Sequence, residues 1–390
     1  MDLLHPDKTI TPPDLESLAL EYLGLLPIPG VEGRTLDPDD GWATVLHAAV
    51  EQTSIHDICD QTTDTPCSDR VLEWLETVDH DQFEEAVNDA LTRQARQMLL
   101  KATPRSICLD FVDIHYHGRY HLTKAELCKT TPRDGTTTCH RYCAAFVVCR
   151  GKPLILAFTW MHGDETRADA AERVLGRVVD LGLTIGCLLA DRAFASAAGI
   201  DTMQTTAPMI APLIRRGKEL AKLLDTQVSY WTEYAMYEGT AREVRFPLAI
   251  CVSYQQGKRG KKGLLVRAYA ACEQAARTPK QVEQTYRQRS AIETSFRTFR
   301  EALATTTTRD PGVRLVYVGV AFLLRNLWIL VGWAMLAQPR RGGRARPTWF
   351  PFKRFRKWIG HALDDRLGWI WEVPTNGVGI PMSHRPAVAG

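Results

Sequence analysis

Hydrophobic and polar positions change rhythm along the chain. Up to about residue 100 the apolar positions recur at helical spacing in short runs. Asp14 to Leu26 is one such run, opened by Pro12-Pro13, which suit a first helical turn. Ser54 to Cys59 and Ser68 to Val78 flank a polar break with Pro66 and read as two helices joined by a turn. Ser68 is expected to cap the second, ahead of Val71, Leu72, Trp74 and Leu75. A longer helix is expected from Asp81 to Lys101. From Ser106 the rhythm is that of strands: ICLDFVDI, then RYCAAFVVCR and KPLILAFTWM, parted by the hairpin signal Gly151-Lys152. Arg167 to Leu181 returns to helical spacing, and TIGCLLADRAF reads as a buried strand ending at a charge. APMIAPLI, RFPLAICVSY and LLVRAYAA are further strands, the last two joined by GKRGKKG. Tyr286 to Leu303 and Leu315 to Leu336 are expected as helices.

This order predicts an α/β protein. A helical N-terminal domain fills 1–104 and a mixed-sheet core begins over 105–204. A β-rich insertion at 205–280 comes next, then a helical remainder of the core at 281–338 and a tail at 339–390.

Composition removes several classes. With 390 residues, 45% hydrophobic and 24% charged, the chain is neither disordered, collagenous nor a disulfide scaffold. Its ten cysteines form no C-x-x-C pair and read as free thiols of a reducing, cytoplasmic compartment. Cys139-His140-Arg141-Tyr142-Cys143 lacks a second ligand pair at zinc-finger spacing. The start, MDLLHPDKTITPPD, has no basic n-region and no long apolar core, so no signal peptide is expected. Leu315–Leu336 is long enough to cross a bilayer, but Arg325 and Asn326 stand at its midpoint. A buried core helix, with no membrane contact, is the expectation. Neither a GxSxG elbow nor a dinucleotide fingerprint occurs.

The net charge of +3 conceals a division. Residues 1–100 hold 21 acidic against 5 basic side chains, and residues 101–390 hold 24 against 43. A +19 part beside a −16 part suggests a polyanion partner for the basic part. The acidic part either contacts the polyanion through a few residues such as Arg70, Arg93 and Arg96, contacts protein, or covers the basic surface.

Three acids stand where acids are unexpected. Asp110 lies inside the strand ICLDFVDI, Asp191 ends the strand TIGCLLA, and Glu293 sits among arginines. A carboxylate at a buried strand position needs a partner or a cation. On a helix with about 100° per residue, Tyr286, Arg289, Glu293, Arg297 and Arg300 share one narrow face. One carboxylate among three arginines and a tyrosine suits a metal ligand beside bound phosphates, the arginines supplying bidentate contacts; a solvated face of Glu-Arg pairs is the alternative. Three such acids converging suit a shared two-metal centre.

The spacing Tyr286-x2-Arg289-x3-Glu293-x6-Arg300 resembles the Y-x2-R-x3-E-x6-K signature of DDE insertion-sequence transposases, with Arg300 where that signature has Lys. ICLDFVDIHYHG and LLADRAF resemble the strands of their first and second catalytic Asp, and TTTTRDPGVRLVYVGVAFLLRNLW resembles the segment after the Glu in archaeal members. The resemblance, over roughly 105–340, implies an RNase H-like core whose triad Asp110, Asp191 and Glu293 binds two Mg²⁺ ions, Mn²⁺ substituting. Asp113, on the same strand, rivals Asp110 for the first place. Tyr286 and Arg289 would hold the transposon-end backbone and Arg300 another phosphate. The activity implied is cut-and-paste transposition: metal-dependent phosphodiester hydrolysis, then strand transfer into target DNA, by a homodimer in the synaptic complex. It would take place in the cytoplasm, at the nucleoid when bound to DNA. The alternatives are an RNase H-like nuclease that cuts without joining and a decayed copy that only binds DNA.

Further residues suit DNA. Trp231 can stack on a flipped base, or simply pack. Lys258, Arg259, Lys261 and Lys262 on a hairpin tip can meet phosphates or solvent. His115, His117 and His121 lack a completing ligand and read as DNA contacts or exposed positions. Between Arg340 and Trp358 eight basic residues interleave with five large aromatics and no acid, which suits DNA contact or docking.

Overall fold

A computed structural model of the chain describes residues 9–31, 33, 36–99, 104–133, 135–149, 152–255, 257, 263–274, 277–289, 298–334 and 350–371. The chain divides into two units, residues 1–97 with 296–390, and residues 98–295.

The first unit is helical. Helix α1 (Pro12–Leu23) starts as its prolines predict, with Thr11 and Asp14 in a reciprocal capping box. After it come α2 (Pro38–Glu51), α3 (Ile55–Gln61), α4 (Ser68–Leu75) and α5 (His80–Arg96). Ser68 is not the cap of α4. Cys67 holds that place without a side-chain bond, and the Ser68 hydroxyl lies 3.3 Å from His56 Nδ1. The long apolar segment forms one helix, Pro311–Ala334, and 89% of its most apolar stretch is buried. Gly319 lets α5 approach it: a Cβ there would fall 2.9 Å from Val87. Gln94 Nε2 donates to the Leu323 carbonyl at 3.2 Å. Arg325, inside this helix, lies 5.5 Å from the Trp328 ring centre, and burial pushes its pKa down to about 9.

Phe350, Phe352 and Phe355 of the tail belong to this core. Phe352–Leu367 is a helix that packs on α1 and α2, with Phe352, Phe355 and Ile359 buried. Trp328 Nε1 donates to the Phe350 carbonyl at 2.8 Å. Lys353, Arg354 and Lys357 remain exposed on the same helix. Residues 296–390 carry 15 basic against 5 acidic side chains, so the acidic helices share one unit with a segment of net +10. Arg366 joins the two, 3.4 Å from Glu16.

Among the described residues, the second unit is built on a nine-stranded mixed sheet. Its strands are β1 (Arg105–Tyr116), β2 (Cys128–Arg133), β3 (Thr136–Cys149), β4 (Lys152–Met161), β5 (Ile185–Ala190), β6 (Met209–Pro212), β7 (Tyr230–Met236), β8 (Val244–Tyr254) and β9 (Leu264–Ala270). One side of β3 pairs with β1, and its other side with both β2 and β4, all antiparallel. β1, β5 and β6 run parallel, joined by α6 (Arg167–Asp180) and α7 (Ala197–Thr206), as parallel pairing requires crossovers. The strands of the β-rich segment 205–280 continue this sheet, since β6 also pairs antiparallel with β9, with β8 and β7 beyond it. Helix α8 (Lys218–Leu223) lies between β6 and β7 in the chain, and α9 (Pro279–Tyr286) packs on β8.

The helix expected over Tyr286 to Leu303 is not α-helical just after its first residue, and residues 298–300 of it are helical. Tyr286 ends α9, a 3₁₀ turn covers Arg287–Arg289, and residues 290–297 lie outside the described ones.

Candidate active site

Two of the three conspicuous acids stand side by side. Leu109 of β1 pairs in parallel register with Ala190 of β5, and each is succeeded by an aspartate. Asp110 therefore lies within β1 where Asp191 leaves the end of β5. Asp191 opens a 3₁₀ turn (Arg192–Phe194), its carbonyl accepting the Phe194 N–H at 2.9 Å. Phe194, fully buried, stacks on Phe111 with ring centres 4.3 Å apart. Neighbouring strand residues point to opposite faces. Phe111 thus holds the turn on one face while Asp110 faces the other.

Arg289 bridges the pair. Its Nη2 lies 2.5 Å from Asp110 Oδ2 and 3.6 Å from Asp191 Oδ1. Tyr286 hydrogen-bonds Arg289, and its ring centre lies 5.3 Å from that of Tyr269. Burial pushes the Asp110 carboxyl up to about 6; Arg289 works downward and Asp191 upward, while the Phe111 N–H, donating at 2.8 Å, works downward. Burial also pushes the Tyr286 hydroxyl up to about 12.

Asp113 has a different environment. Arg141, its cross-strand neighbour on β3, binds it through two nitrogens, each at 2.7 Å, and the Thr130 hydroxyl donates at 3.0 Å. Desolvation works upward on this carboxyl, but the bonds and charge of Arg141 hold it below the ordinary aspartate range. Asp110 is the acid brought to Asp191, and Asp113 is engaged in an ion pair.

Of the remaining predicted residues, Trp231 and Arg300 are among the described ones. Trp231, on β7, is half-buried and donates its indole N–H to the Arg277 carbonyl at 2.9 Å. Arg300 belongs to the helical unit and is exposed, its carbonyl accepting Gln52 Nε2 at 3.3 Å. Glu293, Arg297, Lys258, Arg259, Lys261 and Lys262 lie outside the described residues. Periodicity missed the Phe111–Phe194 stack and the bridging position of Arg289. The strand register that pairs β1 with β5 would have signalled the stack, and nothing local signals Arg289, which meets Asp110 across 179 residues.

As a place for a metal, the pair offers hard carboxylate oxygens from two rigid elements, the donor chemistry that divalent magnesium takes. It already draws a guanidinium, so it is a cation site in its electrostatics. Among the described residues no three His, Cys, Asp or Glu side chains form a ligand group.

Among solved structures, the chain is similar to a chain of the piggyBac transposase synaptic complex with hairpin DNA, determined by cryo-EM. The TM-score is 0.58 at 13% identity, over 97% of this chain and 84% of that chain. No protein-family model and no curated protein matches it. At that identity the likeness is one of fold.

Proposed function

We propose that this chain is a DDE transposase that cuts DNA at the ends of an insertion sequence and joins them to target DNA. The observation that carries the reading is the Asp110–Asp191 pair at adjacent parallel strands. The similarity of fold to a transposase caught in a DNA complex supports it. The antiparallel β1, β3 and β4, continued in parallel by β5 and β6, support an RNase H-like core.

Asp110 and Asp191 would hold Mg²⁺, or Mn²⁺ in its place, with Glu293 as the third carboxylate of a two-ion centre. When bound, such ions activate the attacking oxygen and stabilise the leaving one in phosphoryl transfer. The chain's own residues position the DNA. The β1–β5 register fixes the two carboxylates relative to each other, and the Phe111–Phe194 stack fixes the turn that carries Asp191. Arg289 and Tyr286 put a cation and a hydroxyl at the carboxylates, where a DNA phosphate would take them as donors. Transposon ends and target DNA are the partners, and a homodimer working in the cytoplasm is the assembly.

Incubation with DNA carrying the element's ends and Mg²⁺ tests the reading. Cleaved ends and joined products are expected from the natural chain and neither from Asp191→Ala. Full activity of Asp191→Ala would overturn it.

A further inference from the structure

The loop between β1 and β2 serves neither the aspartate pair nor the core, yet it is tied down at several points. All eight residues from His117 to Lys124 are exposed, Leu122 at 76% and Tyr120 at 41%. Exposed loop tips of this kind are ordinarily mobile. Here the buried Glu126 carboxylate accepts three successive backbone N–H groups, from His121 and Leu122 at 2.6 Å and from Thr123 at 2.7 Å. The Tyr116 hydroxyl donates to the Arg119 carbonyl at 2.8 Å, and Gly118 lies so close to it that a Cβ would fall 2.2 Å away. Gly163 N–H donates to the Ala125 carbonyl at 2.6 Å. The backbone is held while the side chains are displayed.

What it displays has one sign. From His117 to Lys124 the charged side chains are Arg119 and Lys124, with no acid. Fixed cations suit phosphates, and an apolar side chain held out among them suits a wedge between base steps. The loop also leaves the strand that carries Asp110. Tyr116 stands six positions on from Asp110, roughly 20 Å of strand, a span that a duplex covers in about six base pairs at 3.4 Å each.

Resting on the transposase reading, we propose that the His117–Lys124 loop is a second DNA contact, about six base pairs from the cleaved bond. Arg119 and Lys124 grip phosphates, and Leu122 enters and unstacks a base step. The Arg119, Leu122 and Lys124 side chains are exposed and lie outside the carboxylate site, so substituting them keeps the backbone anchors of the loop.

The test uses the full chain and a duplex of about 40 base pairs with 2-aminopurine in place of adenine along one strand, read by anisotropy and by base fluorescence at several salt concentrations. Arg119→Gln with Lys124→Gln should weaken binding about tenfold and lower the salt slope by about two, one for each phosphate no longer bound. Leu122→Ser should abolish the rise in 2-aminopurine fluorescence and leave the salt slope unchanged. Unaltered affinity and slope in the double variant, or an unaltered fluorescence rise in Leu122→Ser, overturns the proposal. If the natural chain still cleaves DNA in that case, the loop assignment alone fails. If the natural chain binds no DNA, both readings fail.

Discussion

The Arg289 guanidinium stands 2.5 Å from Asp110 Oδ2 and 3.6 Å from Asp191 Oδ1, one cation shared by acids from adjacent parallel strands. Its charge opposes the effect of burial on Asp110, whose carboxyl nevertheless sits at about 6. A folded carboxyl raised above its ordinary value contributes stability that is complete below that ordinary value and is lost as pH rises through the folded one. In Arg289→Gln the Asp110 carboxyl should titrate above 6, and the loss should grow and extend to higher pH. Near pH 8 the variant should be about 1–3 kcal/mol less stable than the natural chain. Carboxyl ¹³C titration and denaturant midpoints in metal-free buffer measure both effects. An unshifted Asp110 titration would show that the guanidinium does not govern it.

Asp110 and Asp113 lie three residues apart and should respond in opposite ways. Asp113→Asn leaves Arg141 buried beside a neutral amide, a loss of about 3 kcal/mol at neutral pH. The Asp113 carboxyl is held below its ordinary value. The stability it brings is therefore present above that value and disappears as pH falls through the lower, folded one. The deficit of the variant should close only in strong acid. DNA cleavage per folded molecule should survive in Asp113→Asn and vanish in Asp110→Asn. Thermal melts across pH, set beside cleavage assays, separate the two, and loss of cleavage from Asp113→Asn in well-folded protein would reverse the assignment.

The two aspartates were legible because an acid in an apolar strand is chemically conspicuous without any tertiary knowledge. The strands themselves were legible for the same local reason. Helix α2 was not, since GWATVLHAAV is buried all round and carries no 3.6-residue period to find. The break after Tyr286 was missed because helical periodicity runs on unbroken there, whereas Arg289 meets Asp110 across 179 residues of sequence. The Asp113–Arg141 pair needs the β1–β3 register, which depends on hairpin geometry that composition does not encode.

Phe194 gives the site its rigidity. It is fully buried, stacked on Phe111, and three residues from Asp191. Phe194→Ala should cost about 3–5 kcal/mol through the cavity it leaves. It should also reduce cleavage beyond the fraction unfolded, because the Asp191 turn loses its anchor. Phe355→Ala, equally buried but in the helical unit, is the control for stability alone. Equal residual activity per folded molecule in the two variants would show that the stack has no part in positioning Asp191.

The C-terminal helix separates two roles that the sequence mixed. Phe352 and Phe355 are buried against the acidic helices, while Lys353, Arg354 and Lys357 face solvent. Four basic residues in the first two turns oppose the helix dipole, each at a cost of about 0.3–1 kcal/mol. Neutralising Lys353, Arg354 and Lys357 together to glutamine should therefore leave the melting temperature unchanged or slightly raised. Phe355→Ala should lower it by roughly 10 °C or more, from a core loss of about 3–5 kcal/mol. A lower melting temperature in the triple variant would mean that these cations hold the acidic helices together. An unchanged one would leave the buried aromatics, with the Arg366–Glu16 pair, as what joins the −16 and +10 segments.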